Sequence, residues 1–307
     1  MTILITGANG QLGNEMRILS AQHTQHIYLF SDVIVPDDSP VTIHPLDITD
    51  ETAVRTFVSD NHVDLIVNCA AYTNVDKAEQ DESTATRINA DAVANLARSG
   101  ARVIHISTDY VFSGDEHLPC REEDPVAPRT AYGRTKLAGE QALFAVQPDA
   151  IIFRTAWLYS EYGNNFVKTM IRLGLTKQEI GVVYDQIGTP TYALDLANAI
   201  FAAINAGTWH PGIYHYTNEG VCSWYDFTLA IHEIYNNIQD IRKNQQGEQI
   251  AQGELIRCQV RPILSEEYQY LTPRPHYSVL NKAKVKQTFA ITIPHWRESL
   301  IACLRNM

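Results

Sequence analysis

A glycine-rich turn directly after a short apolar run at the amino terminus limits the possible folds more than any other feature. The apolar residues from Ile3 to Ile5 lead into the spacing Gly7-x-x-Gly10-x-x-Gly13. Small residues are needed there because the turn is tight, a pyrophosphate approaches the backbone closely, and the next helix packs on the strand. The amino terminus of that helix also offers free N–H groups to phosphates. The pattern predicts a dinucleotide-binding strand–turn–helix unit.

An acidic residue follows the second apolar run at the distance that this kind of unit requires. The run Ile27–Phe30 is followed by Asp32, which lies 19 residues beyond Gly13. A carboxylate at this place can hydrogen-bond the adenosine ribose of a dinucleotide. A surface aspartate without a ligand is the alternative interpretation of Asp32.

Strands and helices alternate through the first half of the chain. Continuous apolar runs rich in β-branched residues are typical of strands covered on both faces. The predicted strands are Ile3–Thr6, Ile27–Phe30, Leu65–Asn68, Val103–Ser107 and Ile151–Arg154. Helices are predicted over Ala85–Arg98 and Ala193–Ala206. The order indicates an α/β protein with a Rossmann-like, doubly wound parallel sheet.

The pattern changes after about residue 157, which suggests a second domain. We expect residues 1–157 to form an NAD(P)-binding Rossmann domain, with residues 180–212 returning to it. Residues 158–307 would form most of a smaller, mixed α/β, substrate-binding domain. Within it, Trp224–Tyr235 has the aromatic spacing of a helix, and the polar Gln239–Gly253 segment is predicted to be an exposed loop or a mobile stretch.

Charge and cysteine content exclude several classes of function. A net charge of −11 argues against nucleic acid as the partner, since phosphate backbones require a basic face. The five cysteines are scattered without a Cys-x-x-Cys pair, which favours a reducing compartment over a disulfide framework. No apolar run reaches the roughly 18 residues of a membrane span, and the first strand begins at once, without room for a signal peptide. A cytoplasmic protein is therefore expected.

Tyr132 and Lys136 are the strongest candidates for catalysis. Residues four apart share one face of a helix, so the phenol and the ammonium can point into one pocket. A free tyrosine has a pKa near ~10. A nearby lysine cation favours the phenolate, so we expect Lys136 to lower the pKa of Tyr132 towards the range of general acid catalysis.

Three predicted strands end in residues suited to a ligand site. Ligands of open α/β sheets bind at the carboxyl ends of the strands. Small side chains occupy 69–71, hydroxyl groups occur at Ser107 and Thr108, and aromatic residues follow Arg154. His105 lies inside a predicted strand, where we expect it to be packed. The eleven histidines show no spacing of two histidines and an acid, so no metal site is expected.

Taken together, these motifs give a family resemblance. The chain resembles the extended, nucleotide-sugar-modifying branch of the short-chain dehydrogenase/reductase superfamily, and within it the dTDP-4-dehydrorhamnose reductases. The resemblance runs from Met1 to about Ile293. Beyond the glycine turn it depends on the segments 68–79, 107–112, 132–140, 154–159, 163–166 and 185–191, and on Arg274-Pro275 followed by Ser278 and Leu280.

The resemblance implies a role for each catalytic candidate. Tyr132 would donate a proton to a sugar ketone oxygen as a hydride arrives from NADPH or NADH. Lys136 would hold the nicotinamide ribose, and Thr108 would hydrogen-bond the same ketone oxygen. Asp109 and Trp157 would contact the sugar.

The resemblance also implies a set of binding residues. Arg274 would bind the substrate diphosphate, since a guanidinium fork matches phosphate oxygens; a surface salt bridge is the alternative. Asp32 would repel the 2′-phosphate of NADPH and so favours NADH, although the family often accepts NADPH. The residues expected to bind the cofactor are Gly7, Asn9, Gly10, Gln11, Leu12, Gly13, Asp32, Asp47, Ile48, Ala70, Ala71, Tyr72, Thr73, Tyr132 and Lys136.

The expected function is NAD(P)H-dependent reduction of the C4 ketone of dTDP-4-dehydro-L-rhamnose to dTDP-L-rhamnose, which would supply polysaccharide synthesis. Another nucleotide-sugar 4-ketoreductase or an epimerase is an alternative. A 4,6-dehydratase is disfavoured because Tyr110 stands where an acid is needed. A non-catalytic regulatory protein, like the methionine adenosyltransferase β subunit, is a further alternative. A homodimer is the working expectation for the assembly, although no residue pattern shows it.

Overall fold

A computed structural model describes residues 1–35, 41–246 and 255–307 of the chain. The strands, in chain order, are β1 (Thr2–Thr6), β2 (Ile27–Asp32), β3 (Ile43–Pro45), β4 (Leu65–Asn68), β5 (Arg102–Thr108), β6 (Ile151–Thr155), β7 (Leu158–Tyr159), β8 (Glu179–Val183), β9 (Ile187–Gly188), β10 (Thr191–Tyr192), β11 (Gly212–His215), β12 (Cys222–Ser223) and β13 (Gln259–Ile263).

Helices fill most of the intervals between strands. They are α1 (Gln11–Ser20), α2 (Glu51–Asp60), α3 (Val75–Gln80), α4 (Glu82–Thr86), α5 (Ala92–Arg98), α6 (Ala131–Val146), α7 (Phe166–Thr176), α8 (Ala193–Ile204), α9 (Trp224–Gln246), α10 (Ala283–Phe289) and α11 (Trp296–Asn306). A π-helical turn, Arg87–Asp91, joins α4 to α5. Short 3₁₀ turns occur at Asp109–Val111 and Ser265–Glu267.

A seven-stranded sheet forms the centre of the molecule, in the order β11-β6-β5-β4-β1-β2-β3. Every neighbouring pair in it is parallel. The order reverses direction beside β1, so the carboxyl ends of β1 and β4 flank a crevice where ligands bind in such sheets. The predicted doubly wound parallel sheet is confirmed, and each of the five predicted strands is present.

Alternating side chains of the central strands supply the two layers of the core. On β1, Ile3 and Ile5 face one layer, packed against α1 and α8, whereas Leu4 faces the other layer, which contains α2 and α5. A strand buried on both faces has to be apolar at every position, which explains the uninterrupted run in the sequence. The sheet thereby holds the loops at its carboxyl edge in fixed positions.

Two strands of this sheet were not predicted. β3 has only three residues and pairs with β2, and β11 pairs with β6 at the opposite edge. Neither strand is a continuous apolar run, which is the signal by which the other strands were predicted. The division of the chain into a cofactor domain and a substrate domain, with residues 180–212 returning to the first, remains a prediction.

A third apolar cluster lies beyond the main sheet, where α7, α9 and α11 pack together. Its buried residues include Val167, Phe227, Ile231 and Leu300. Two short parallel strands, β8 and β13, pair beside it. Within the described ranges, no helix combines the length and the hydropathy that a membrane crossing requires.

One loop prediction and one helix prediction need correction. The loop predicted over Gln239–Gly253 is wrong for its first part, because α9 continues to Gln246 and buries Ile238. Residues 247–253 lie outside the described residues. The helix predicted over Ala85–Arg98 exists but contains the π-helical turn, which the apolar spacing alone does not reveal.

Candidate active site

The glycine turn has the tight geometry that its sequence predicts. Gly7 has φ +63°, and a Cβ atom built on it would lie 2.6 Å from the backbone nitrogen of Ala70. A Cβ atom on Gly13 would collide with the carbonyl oxygen of Gly7. Gly10 is the N-cap of α1, and no side chain caps the helix there. The first N–H groups of α1 are therefore open to an anionic ligand.

Asp32 holds the turn in place. Its Oδ2 accepts a hydrogen bond from the Asn9 backbone N–H at 3.0 Å, and its Oδ1 accepts one from the Ile34 N–H at 3.3 Å. The Asn9 side chain donates to the Ile34 carbonyl at 2.6 Å. These contacts give Asp32 a structural role in the turn, and its hydrogen bond to an adenosine ribose remains a prediction.

A cleft of about 550 Å³ opens at the carboxyl edge of the sheet. It connects the amino terminus of α1 with the ends of β4, β5 and β6 and with the first turns of α6. The candidate residues on its walls are Gly10, Gln11, Leu12, Ala71, Thr73, Thr108, Asp109, Tyr132, Lys136 and Trp157. The structure thus brings the predicted cofactor turn and the predicted catalytic residues into one cavity.

The other candidates do not line this cleft. They are Gly7, Asn9, Gly13, Asp32, Asp47, Ile48, Ala70 and Tyr72, together with Arg274 in the neighbouring cavity. Asp47 accepts hydrogen bonds from Thr49, and Ile48 is packed in the core. The backbone of Tyr72 is held by the side chain of Asn89. Their contacts with a cofactor remain predictions.

Tyr132 lies in the first turn of α6. The Thr130 side chain caps this helix by accepting a hydrogen bond from the Gly133 N–H at 3.0 Å. The Tyr132 ring packs edge-to-face against Tyr110, with ring centroids 5.3 Å apart. Burial raises the pKa of Tyr132 to about 12, although the Thr108 hydroxyl opposes the shift.

The prediction that Lys136 lowers the pKa of Tyr132 is therefore wrong. The ammonium group of Lys136 is engaged elsewhere: it donates to the Ile106 carbonyl at 2.6 Å and lies 3.3 Å from Nε2 of His105. Burial lowers the pKa of Lys136 to about 8, and the charge of Glu140 opposes that shift. Tyr132 consequently keeps its proton at neutral pH, as a proton donor must.

Thr108 and Asp109 form a polar pair at the end of β5. The Thr108 hydroxyl donates to Asp109 Oδ1 at 2.9 Å. Burial raises the pKa of Asp109 to about 7, and its hydrogen bonds, led by the one from Thr108, oppose the shift. The Oδ2 atom of Asp109 is buried and has no hydrogen-bond partner among the residues that the structure describes. This oxygen is available to a bound hydroxyl group.

A second cavity of about 540 Å³ adjoins the first and shares Asp109, Tyr110, Trp157 and Trp224 with it. The two indole rings stack with centroids 3.4 Å apart and an interplanar angle of 9°. Arg274 lines this second cavity and donates to Asp76 Oδ2 at 2.9 Å. Its Nη1 atom is buried and finds no hydrogen-bond partner within residues 1–35, 41–246 and 255–307. The two adjoining cavities therefore leave room for two adjacent ligands.

Several residues that line the first cleft were not among the candidates. Trp224 belongs to α9, far along the chain, and at the cleft its ring stacks on Trp157 and packs against Phe166. Asn165 caps α7 and donates to the Gln11 side chain at 3.0 Å, which joins the 163–165 loop to the glycine turn. An asparagine directly before an apolar helix was a signal for the cap, but not for the contact with Gln11.

A buried ion pair links β6 to α6. Arg154, at the end of β6, makes two hydrogen bonds to Glu140 of α6, at 2.9 and 2.6 Å, and each side chain is only 3% exposed. The pair joins the sheet to the helix that carries Tyr132 and Lys136. Arg154 therefore does not line the cleft, unlike the aromatic residues that follow it.

The model of the RmlD substrate binding domain matches residues 1–307. The chain belongs to this family. The spore coat polysaccharide biosynthesis protein SpsK of Bacillus subtilis (strain 168) is 40% identical over 302 residues, which are 97% of this chain and 95% of that protein. The dTDP-4-dehydrorhamnose reductase of Aggregatibacter actinomycetemcomitans is 38% identical over 307 residues, covering 97% of this chain and 96% of the enzyme.

A solved structure agrees with this membership of the RmlD substrate binding domain family. The dTDP-4-dehydrorhamnose reductase from Bacillus anthracis str. Ames, in complex with NADP, superposes with a TM-score of 0.85 and is 35% identical. The match covers 100% of this chain and 99% of that one. The family resemblance that the motifs gave is thereby confirmed.

Proposed function

We propose that the protein reduces the C4 ketone of dTDP-4-dehydro-L-rhamnose to dTDP-L-rhamnose, with NADPH or NADH as the hydride donor. The observation that carries the proposal is the single cleft that joins Thr108, Tyr132 and Lys136 to the uncapped glycine turn. The names of the relatives support the choice of substrate. The product would supply polysaccharide synthesis.

The residues at the glycine turn fit a dinucleotide. A Cβ atom on Gly10 would meet only the Gly7 carbonyl oxygen within 4 Å, so the backbone is open on the other sides. The turn and the first N–H groups of α1 would hold the pyrophosphate, and Asp32 would lie near the adenosine ribose. Ala71 and Thr73 would line the middle of the cofactor. When bound, the reduced nicotinamide supplies the hydride that the ketone carbon accepts.

The protein's own part in the reaction is to supply and replace one proton. Tyr132, which holds its proton at neutral pH, donates it to the ketone oxygen, and Thr108 hydrogen-bonds the same oxygen. Lys136 faces the same cleft and returns a proton to the Tyr132 phenolate. The lysine then takes a proton from water. The ketone thus gains one hydride and one proton, which gives the alcohol.

The second cavity would hold the nucleotide part of the substrate. Asp109 and Trp157 lie where the two cavities meet, so they would contact the sugar. Arg274 would bind the diphosphate, and it would exchange Asp76 for phosphate oxygens when it does so. Residues 158–307 would thereby contribute most of the substrate domain.

The direct test is absorbance at the reduced-nicotinamide band with purified protein, NADPH or NADH and the candidate ketosugar nucleotide. We expect substrate-dependent loss of the reduced cofactor with net formation of the 4-hydroxy product. An epimerase would convert the sugar without net consumption of cofactor, and a regulatory subunit would show no turnover. Either of those results would replace the proposed reductase.

Replacing Lys136 with methionine is expected to weaken the binding of the reduced cofactor. Hydrogen bonds to charged groups contribute about 1.5–3 kcal/mol, so the dissociation constant should rise by roughly tenfold to a hundredfold. Turnover should fall as well, because the phenolate can no longer be reprotonated by the lysine. Nicotinamide fluorescence measures the affinity, and Lys136→Arg is the control that retains the charge. An unchanged affinity and rate in Lys136→Met would remove the proposed role.

Replacing Asp32 with asparagine is expected to shift the cofactor preference towards NADPH. The amide keeps an acceptor for the Asn9 N–H but removes the charge that repels a 2′-phosphate. Two unit charges about 4 Å apart in a water-like medium interact by about 1 kcal/mol, so the ratio of kcat/KM for NADPH over NADH should rise about fivefold. A ratio that stays at its original value would show that Asp32 lies far from the 2′ position.

A further inference from the structure

Four buried polar side chains form one hydrogen-bonded chain beneath the cleft. Thr6 Oγ1 donates to Asn68 Oδ1 at 2.7 Å, and Asn68 Nδ2 contacts His105 Nδ1 at 3.0 Å. His105 Nε2 lies 3.3 Å from Lys136 Nζ. Thr6, Asn68 and His105 are at most 1% exposed, and Lys136 is 2% exposed. This hydrogen-bonded network crosses three strands, from Thr6 of β1 through Asn68 of β4 to His105 of β5. It ends at Lys136 of α6.

The direction of each hydrogen bond follows from one backbone group. The Ala70 N–H donates to Asn68 Oδ1 at 3.2 Å, and an N–H group can only donate. The oxygen of the Asn68 amide therefore faces Ala70 and Thr6, and its NH₂ group faces His105. Since that NH₂ group donates to Nδ1, the Nδ1 atom carries no proton. A neutral imidazole then has its proton on Nε2, which faces Lys136.

This tautomer discriminates between the two states of the lysine. An uncharged amine has a lone pair that can accept a hydrogen bond from Nε2–H, whereas an ammonium group has only donors. The ammonium would retain its hydrogen bond to the Ile106 carbonyl at 2.6 Å but would face a second donor at His105. The imidazole therefore favours the uncharged amine.

We propose, on the basis of the function above, that His105 is a positioning residue that stabilises Lys136 in the uncharged form it adopts after returning a proton to Tyr132. The transfer breaks one Lys136 N–H bond and forms the Tyr132 O–H bond. The amine lone pair then accepts the hydrogen bond from Nε2–H until water restores the proton. Asn68 fixes the tautomer on which this depends.

The surroundings of His105 are consistent with a neutral imidazole. Burial and the charge of Lys136 hold the pKa of His105 well below its usual range. On the adjacent strand, the register partner of His105 is Ile152 of β6, which is apolar. The nearest acid on α6 is Glu140, and its carboxylate is bound by Arg154. The charged group that faces the imidazole directly is therefore Lys136.

The first test is NMR of the full-length protein with nitrogen-15 in histidine and carbon-13 at lysine Cε. The His105 signal is assigned by its loss in His105→Gln, and the Lys136 signal by its loss in Lys136→Met. We expect the ring proton on Nε2 and an unprotonated Nδ1. A proton on Nδ1 would overturn the inference. The measurement needs no substrate, so failure of ketosugar reduction would count only against the proposed function.

The second test reverses the tautomer by Asn68→Asp. A carboxylate would accept the proton of Nδ1, which leaves the Nε2 lone pair to accept a hydrogen bond from the lysine ammonium. We expect the ring proton to move to Nδ1 and the Lys136 titration midpoint to rise by about one pH unit or more. The alkaline limb of kcat should move with it.

The negative charge that Asn68→Asp introduces could by itself raise the titration midpoint of Lys136. The proposal therefore also requires the ring proton of His105 to move from Nε2 to Nδ1. A higher midpoint with the ring proton still on Nε2, or an unmoved alkaline limb, would contradict the proposal. Thr6→Val is the matched control, because it removes one hydroxyl from the same hydrogen-bonded network. The Ala70 N–H still orients the Asn68 amide, so the His105 tautomer and the Lys136 titration midpoint should not change. If Asn68→Asp does not fold, the His105 tautomer measured in the unaltered protein still tests the proposal.

Discussion

Replacing Tyr132 with phenylalanine is expected to lower kcat by roughly 10²- to 10⁴-fold, the usual contribution of a positioned general acid. The change removes one hydroxyl group and leaves the ring, its edge-to-face contact with Tyr110 and the cap of α6 in place. The glycine turn and Lys136 are untouched, so the affinity for the reduced cofactor should persist. Stopped-flow kinetics with the ketosugar and a fluorescence titration with NADPH measure the two quantities separately.

Tyr28→Phe is the control for this experiment. Its hydroxyl donates to the His23 carbonyl, and neither residue lines the cleft, so turnover should not change. If Tyr132→Phe retained turnover close to that of Tyr28→Phe, the proton would have to come from another group, and Asp109, whose pKa burial raises to about 7, would be the first to examine.

The largest effect on stability is expected for Glu140→Gln. The substitution leaves the Arg154 guanidinium buried, 3% exposed, without its charged partner. Removing one member of a buried ion pair costs about 3–5 kcal/mol, because the remaining charge has lost both water and its counterion. Urea denaturation should show a lower midpoint for unfolding with a similar slope.

Two further variants separate this effect from a general loss of charge. The double variant Glu140→Gln/Arg154→Met removes both charges and should recover much of the lost stability. Glu51→Gln removes a partner of Arg98 at 3.9 Å, where both side chains are about half exposed, and should cost less than about 1 kcal/mol. Equal losses for Glu140→Gln and Glu51→Gln would contradict the account of the buried pair.

The sequence predicted the main sheet well because its strands carry local, redundant signals. Strand β4 has the predicted bounds, and the glycine turn follows β1 as its spacing requires. The edge strand β11 was missed because Gly212–His215 is not a continuous apolar run, whereas β4, of the same length, is one. The continuation of α9 to Gln246 was also missed: its polar residues resemble a loop, and the hydrogen bond from Arg242 to the Arg305 carbonyl joins segments that are distant in the sequence.

The candidate site was predictable only where one element supplies the geometry. Tyr132 and Lys136 share a helix face, and both line the cleft. The pKa of Tyr132 could not be predicted, because it depends on burial and on the contacts that engage Lys136. The stacking of Trp157 on Trp224 joins distant segments, and so does the hydrogen-bonded network through Asn68 and His105. No local sequence pattern therefore predicts them.

The hydride transfer itself offers the sharpest test of the whole interpretation. NADPH or NADH that carries deuterium at the transferable C4 position is incubated with the protein and the ketosugar nucleotide, and the product is analysed by mass spectrometry and proton NMR. The account predicts one deuterium per molecule of product, at C4 of the sugar of dTDP-L-rhamnose, and loss of that label transfer in Tyr132→Phe. Sugar that is converted without taking up deuterium, or deuterium at another carbon, would contradict it.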